Sequence, residues 1–381
     1  MNKQAMLTLF WVVILGGSLF GQSPALNSKR PETGISGVYE VVLGVRGEAD
    51  GQAACRYFAE FGFVVTDSTE VDAIAAKRLY GVQSKLWSYR LQNGKIDSHG
   101  LLRILAWESP TGDGVGYAPP ETIGQRLSVM MTTDIYRLFD IYTYARQSGQ
   151  RWLPTVPVSD DIFGLSKAGS NDFFKRPVLV RENAVYGAFF NHVFFQRNGY
   201  KIPGYGTINP NANLKTSEFT HHSFIINAKN MSEVAYLVTA FGLSAEKEPN
   251  LDGDYQKGAK AVFMMPDGYT HWYQGFVSPN NICGKIKFFI PNSPKPDRSK
   301  DQKLGELGIT MHTFYSANID LVYSLVQQHS NLTATAIENN EFGERSFVVR
   351  AAEGTTWQIL EKLIEPKHKP TTKVEMVYTR D

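Results

Sequence analysis

The chain has 381 residues, of which 43% are hydrophobic and 20% charged, with a formal net charge of +2 at pH 7. This is ordinary globular composition and enough length for two domains. No long basic run occurs, and phosphate binding needs clustered lysine and arginine, so nucleic acid is excluded as a first partner class.

The N-terminus carries Lys3, an uncharged apolar stretch over 5–15, and the small residues Gly16, Gly17 and Ser18, with polar sequence from Gln22 onward. This is the form of a secretory signal peptide over 1–22, and it places the protein in the periplasm or outside the cell. The stretch is short for a bilayer span. The alternative is an uncleaved segment that tethers the protein to a membrane. Cys55 and Cys283 could pair in an oxidising compartment. They make no disulfide framework and have no C-x-x-C spacing for a zinc thiolate site.

In chain order, a strand is predicted over 38–45 and an amphipathic helix over about 52–61, with Gly62 at the helix stop. Short alternating segments follow, as at 86–91. The next unit opens with a strand at 127–132 and a helix at 135–146, with alternation at 178–181. The third has a strand at 223–228, a helix at 232–241 closed by Gly242, and alternation at 261–265. The fourth has a strand at 309–316, a helix at 319–329 and alternation at 346–350. Gly-, Pro- and Asn-containing stretches at 109–120, 199–213 and 291–303 read as surface linkers. The repeat is also visible in residues. Gly100-Leu-Leu-Arg-Ile-Leu-Ala-Trp-Glu-Ser-Pro110 matches Gly284-Lys-Ile-Lys-Phe-Phe-Ile-Pro-Asn-Ser-Pro294: a glycine, an apolar strand with a base fourth in line, then Ser-Pro. The offset is 284 − 100 = 184, and Thr133-Asp134-Ile135-Tyr136 matches Ala317-Asn318-Ile319-Asp320 at the same offset. The unit is one strand, one helix and three strands, used four times.

This α+β pattern of tandem βαβββ modules resembles the vicinal-oxygen-chelate superfamily, which includes glyoxalase, bleomycin-resistance proteins and extradiol dioxygenases, in its four-module, two-barrel form. The likeness runs from about 37 to 366. It implies an N-terminal incomplete barrel over 37–198 (modules 37–110 and 123–198), a linker at 199–217, a C-terminal barrel over 218–366 (modules 218–294 and 305–366) and a tail at 367–381. It also implies metal ligands on the first and last strands of a module, pointing into the barrel, with the surviving site in the C-terminal barrel.

The matching positions are His221 or His222 on the first strand of the third module, with His222 preferred, and His312 on that of the fourth. The carboxylate is expected four residues after Gly354, where this chain has Gln358, so Glu361 becomes the third ligand if the turn is lengthened. Two histidines and a carboxylate suit a divalent metal, Fe(II) first and Mn, Zn or Ni as alternatives. His271 could donate to a substrate oxygen and Tyr315 could serve as an acid or oxyanion donor. In the N-terminal half, Ser128 stands where the offset places His312. Glu40, alone on an apolar strand, reads as a ligand remnant or a strand-edge carboxylate. No G-x-S-x-G, Walker or GxGxxG motif occurs. The function implied is a metal-dependent enzyme on a small oxygenated substrate, either dioxygenase-like or a glyoxalase-like lyase or isomerase. The alternative is a non-catalytic exported protein that sequesters a small aromatic molecule.

Overall fold

The computed structural model describes residues 26, 28–161, 178–227, 231–246, 257–280, 282–362 and 375–377, so the expected signal peptide at 1–22 lies outside the described residues. The first module runs β1 (Glu40–Arg46), α1 (Gly47–Ala59), β2 (Phe63–Val71), α2 (Ala73–Tyr80), β3 (Leu86–Asn93) and β4 (Leu101–Trp107). The second runs β5 (Arg126–Thr132), α3 (Ile135–Gln147), β6 (Trp152–Pro154), β7 (Val158–Asp161), β8 (Leu179–Gly187) and β9 (His192–Asn198), followed by the short β10 (Tyr200–Lys201). The third has β11 (Thr216–Ile225), α4 (Tyr236–Thr239), β12 (Ser244–Ala245), α5 (Lys257–Val262), β13 (His271–Val277) and β14 (Lys285–Pro291). The fourth has β15 (Gly308–Ser316), α6 (Ile319–Val326), β16 (Leu332–Ala334), β17 (Glu338–Asn339), β18 (Arg345–Ala351) and β19 (Thr356–Glu361), after which β20 (Glu375–Met376) pairs with β10. No described helix is long and apolar enough to cross a membrane, and Cys55 and Cys283 are free thiols.

The repeated motifs have local causes. Asp134 accepts a hydrogen bond from the Arg137 amide at 3.1 Å, and Asn318 accepts one from the Leu321 amide, also at 3.1 Å. The match between these two segments is therefore a helix N-cap used twice, which satisfies an otherwise orphaned amide. One expected strand is wrong. Residues 261–265 form the end of α5 and the turn after it, where Val262, Phe263 and Met265 are buried. A short apolar run suits a buried helix end as well as a strand. The helix expected over 232–241 is a 3-10 turn at Met231–Val234 followed by the four-residue α4.

Apart from the β10–β20 pair, the described strands form two nine-stranded sheets. In the first, module one joins module four: β1 lies antiparallel to β15, with Glu40 opposite Thr313. In the second, module two joins module three: β5 lies antiparallel to β11, with His221 opposite Val129. The expected barrels over 37–198 and 218–366 are therefore replaced by an outer pair and an inner pair. The reason is physical: each module presents the same unpaired backbone edge on its first strand, and side-chain periodicity does not say which other edge will meet it.

The sheet faces that carry α1, α3, α4 and α6 face each other, while α2 and α5 pack on the opposite faces. Phe58 and Phe61 of module one pack with Leu138 and Tyr142 of module two. Val238 and Phe241 of module three pack with Ile319, Val322 and Trp357 of module four. The opposite, concave faces hold separate clusters, Val42, Leu105, Met311 and Val348 in one sheet and Leu127, Val193, Ile225 and Phe289 in the other. The repeated glycines sit where the sheets cross. Gly100 (φ +70°) and Gly284 (φ +110°) leave no room for a Cβ, which would collide with the Phe219 carbonyl in one case and the Val38 backbone in the other. The Val38 amide donates to the Gly284 carbonyl at 2.8 Å and the Phe219 amide to the Gly100 carbonyl at 3.1 Å. Gly284→Ala is expected to destabilise the protein by about 3 kcal/mol, because both backbone strain and a steric clash oppose it. Urea unfolding checks this, and a change below about 1 kcal/mol would show that the crossing relaxes at little cost.

Candidate functional site

Alternation along β11 puts His221 and His222 on opposite faces. His221 points into the concave face of its sheet, where its ring lies 5.3 Å from that of Phe195 and its Nδ1 shares a hydrogen bond with the Tyr205 hydroxyl. His222 points to the opposite face, toward the other sheet, and meets His312 there, with ring centroids 5.0 Å apart. The two histidines expected as ligands do come together, but between the sheets and not inside one barrel. Ser128 Oγ lies 3.1 Å from His222 Nδ1, while His222 Nε2 and both His312 nitrogens have no hydrogen-bond partner. Burial pushes the His222 imidazole down to about 3 and the His312 imidazole well below its usual value, so both rings are neutral.

Glu361 does not join them. Trp357 is the residue of β19 that pairs with His312, and Glu361 pairs with Ser316, four residues or roughly 13 Å further along the strand. Its side chain is 41% exposed, and its carboxylate is bonded to Arg345 at 3.1 Å. Among the described residues no group of three His, Cys, Asp or Glu side chains is placed to hold an ion. Tyr315 and His271 are also apart, on β15 of one sheet and β13 of the other. The Tyr315 hydroxyl donates to the Ser98 carbonyl at 2.8 Å. The His271 Nδ1 lies 2.9 Å from Glu121, which also holds Lys295 at 2.6 Å.

The concave face of the outer sheet shows what stands where the resemblance implies ligands. The inward residues of the first and last strands are Glu40 and Arg103 from module one, and Thr313 and Gln358 from module four. Glu40 accepts from Arg90 Nε at 2.5 Å, from Thr313 Oγ1 at 3.0 Å and from Arg103 Nη2. Arg103 Nη1 donates to Gln358 Oε1 at 2.8 Å and to the Tyr80 hydroxyl at 3.2 Å, and lies 3.4 Å from Glu341. Arg90 also forms a two-bond pair with Glu344 at 2.7 and 3.2 Å. Arg103 and Glu40 are completely buried. Burial alone would raise the Glu40 carboxyl, but the Arg103 and Arg90 guanidiniums outweigh it and hold the group below the usual carboxylate range. One carboxylate already clamped by two cations, a hydroxyl, an amide and a guanidinium do not fit a divalent metal, which needs free anionic or imidazole donors.

The inner sheet repeats the register. In the outer sheet Glu40 lies beside Leu101, two residues before Arg103. In the inner sheet His221 lies beside Lys285, two residues before Lys287. Lys287 thus occupies the place of Arg103 and His221 that of Glu40. Lys287 is half-buried. Burial and the neighbouring Lys285 charge push its amine down to about 8, and burial pushes the Glu182 carboxyl up to about 7 against the pull of Lys287. Lys287 forms no hydrogen bond or ion pair with any described residue, whereas Lys285 pairs with Glu246. Arg197 lies over the Tyr205 ring at 4.7 Å. Sequence reasoning missed Arg103 and Lys287 as site residues. The signal was present, because they are the base that recurs fourth in line in the two matched strands.

No protein-family model matches the sequence, and no curated protein is significantly similar to it. Solved structures do match. A putative dioxygenase from Bacillus subtilis subsp. subtilis str. 168 aligns at 9% identity over 89% of each chain, with a TM-score of 0.50. Glyoxalase I from Zea mays aligns at 8% identity over 85% of this chain and 92% of that one, with a TM-score of 0.46. At such identity the likeness to the Bacillus subtilis structure is one of fold.

Proposed function

We propose that this chain, which has the vicinal-oxygen-chelate fold, binds a small oxygenated organic molecule without a metal, on the concave face formed by modules two and three. The observation that supports this reading is the contrast between the two concave faces. In the outer sheet Glu40, Arg103, Thr313 and Gln358 are each bonded to another inward side chain, whereas Lys287 of the inner sheet is bonded to no described residue; both faces carry an apolar cluster. In the inner sheet Lys287, His221, the Tyr205 hydroxyl and Glu182 share one face beside Phe195, an arrangement of a few polar groups on an apolar wall that suits an oxygenated ligand. His221, its imidazole lowered by burial and then by Lys287 and Lys285, is neutral, and Tyr205 keeps its proton because burial raises its hydroxyl. Together they can donate to and accept from ligand oxygens. The reading keeps the exported location that residues 1–22 imply.

The test is metal analysis of the purified full chain together with a thermal-shift panel of small oxygenated compounds. The expected result is metal well below one equivalent and saturable stabilisation by some of the panel. Stoichiometric Fe, Mn, Zn or Ni would sink the reading. A second reading, a metal-dependent enzyme centred on His222 and His312, is favoured by their three imidazole nitrogens without partners. It requires bound metal that disappears in a folded His312→Ala variant.

A further inference from the structure

We infer that Lys287 holds a carboxylate of the ligand on the concave face of the inner sheet. This inference rests on the metal-free binding reading and adds the chemical class of the ligand.

Three observations carry it. The first is the register: Lys287 and Arg103 hold equivalent places, each two residues beyond the partner of the inward residue on the first strand. The second is that both places carry a cation, and that the outer one is a closed example of what such a cation does there. Arg103 is paired with the carboxylate of Glu40, supplied by its own chain. In the inner sheet the residue in the place of Glu40 is His221, which brings no negative charge to neutralise the cation. The third is that Lys287 has no hydrogen-bond or ion-pair partner among the described residues, although the residue is not fully buried, so its ammonium is unsatisfied. Two carboxylates act on it through space without bonding to it: Glu246, which is held by Lys285, and Glu182, whose carboxyl burial raises against the pull of Lys287. A partly desolvated ammonium without a fixed counter-ion favours an incoming carboxylate, as it would favour a protein one. His221 and Tyr205 then face the second oxygen or a neighbouring hydroxyl of the same ligand.

The test is competitive acetylation of the intact protein with acetic anhydride, read peptide by peptide by mass spectrometry, with oxalate, acetate or inorganic phosphate present at constant ionic strength. Oxalate is expected to slow acetylation of Lys287 about tenfold near saturation, while the exposed Lys77 reacts at an unchanged rate. Calorimetric binding of oxalate should be lost in Lys287→Met and kept, at reduced affinity, in Lys287→Arg, with all three proteins folded. Protection of Lys287 by none of the three anions, or equal oxalate binding by Lys287→Met, would overturn the inference. A neutral ester that stabilises wild type and Lys287→Met equally would also overturn it while leaving metal-free binding intact. If no compound of any charge binds, both fall together.

Discussion

Acidification to about pH 5 is expected to unfold the protein. His192, His221, His222 and His312 are all buried. Burial is the leading cause that lowers each imidazole, to about 3 for His192 and His222, and well below the usual 6.5 for His221 and His312. Each ring therefore binds a proton less readily in the folded chain than in the unfolded one. Below pH 6.5 the unfolded chain holds more protons, so stability is complete above that value and falls as pH drops toward the folded-state values. Each such histidine costs about 1.4 kcal/mol per pH unit in this window. At about pH 5 the four together cost about 8 kcal/mol. Glu182, raised to about 7, has the opposite sign and offsets about 2 kcal/mol. The remainder of about 6 kcal/mol is comparable with the whole stability of an ordinary domain. Fluorescence and circular dichroism against pH measure the transition, and His312→Phe should make it shallower by about one proton. A chain that keeps its urea midpoint down to about pH 4 would refute this account of the buried imidazoles.

Breaking the Glu40–Arg103 pair is expected to be the most damaging single change on the concave face of the outer sheet. Arg103→Met leaves Glu40 and Glu341 buried, with Arg90 as the only cation bonded to Glu40. Removing one partner of a fully buried pair typically costs about 3–5 kcal/mol, because the survivor keeps its desolvation penalty. For a chain of this size that lowers the melting temperature by on the order of 10 °C. The double change Glu40→Leu with Arg103→Met should recover most of the loss, since apolar side chains of similar volume remove the penalty along with the pair. Urea unfolding of the four proteins completes the cycle. A single-variant cost below about 1 kcal/mol, or a double variant as unstable as the sum of the singles, would mean that the pair is not the organising contact of that face.

Much of the architecture was legible in the sequence because its causes are local. The 184-residue offset found the duplicated N-caps, Asp134 and Asn318, and the duplicated crossing glycines, Gly100 and Gly284. Apolar alternation located the first strand of every module to within a few residues, except in the third, where β11 begins at Thr216. The candidate site was legible only in part. His222 and His312 were singled out and do meet, yet Glu361 stays at an exposed strand end. Gln358, the residue at the position where the resemblance expects a carboxylate, does face inward and bonds to Arg103.

Four βαβββ units, their helix caps and the bases at 103 and 287 follow from the residues in order, because a hydrogen-bonded turn, a cap or a period of two needs only neighbours along the chain. Long-range packing set the rest: module one joins module four and module two joins module three, His221 and not His222 faces a concave surface, and Glu40 finds Arg103. Those outcomes depend on which backbone edges meet and which way each sheet curls. Every strand edge offers the same amides and carbonyls, so that choice is made by packing across the whole molecule.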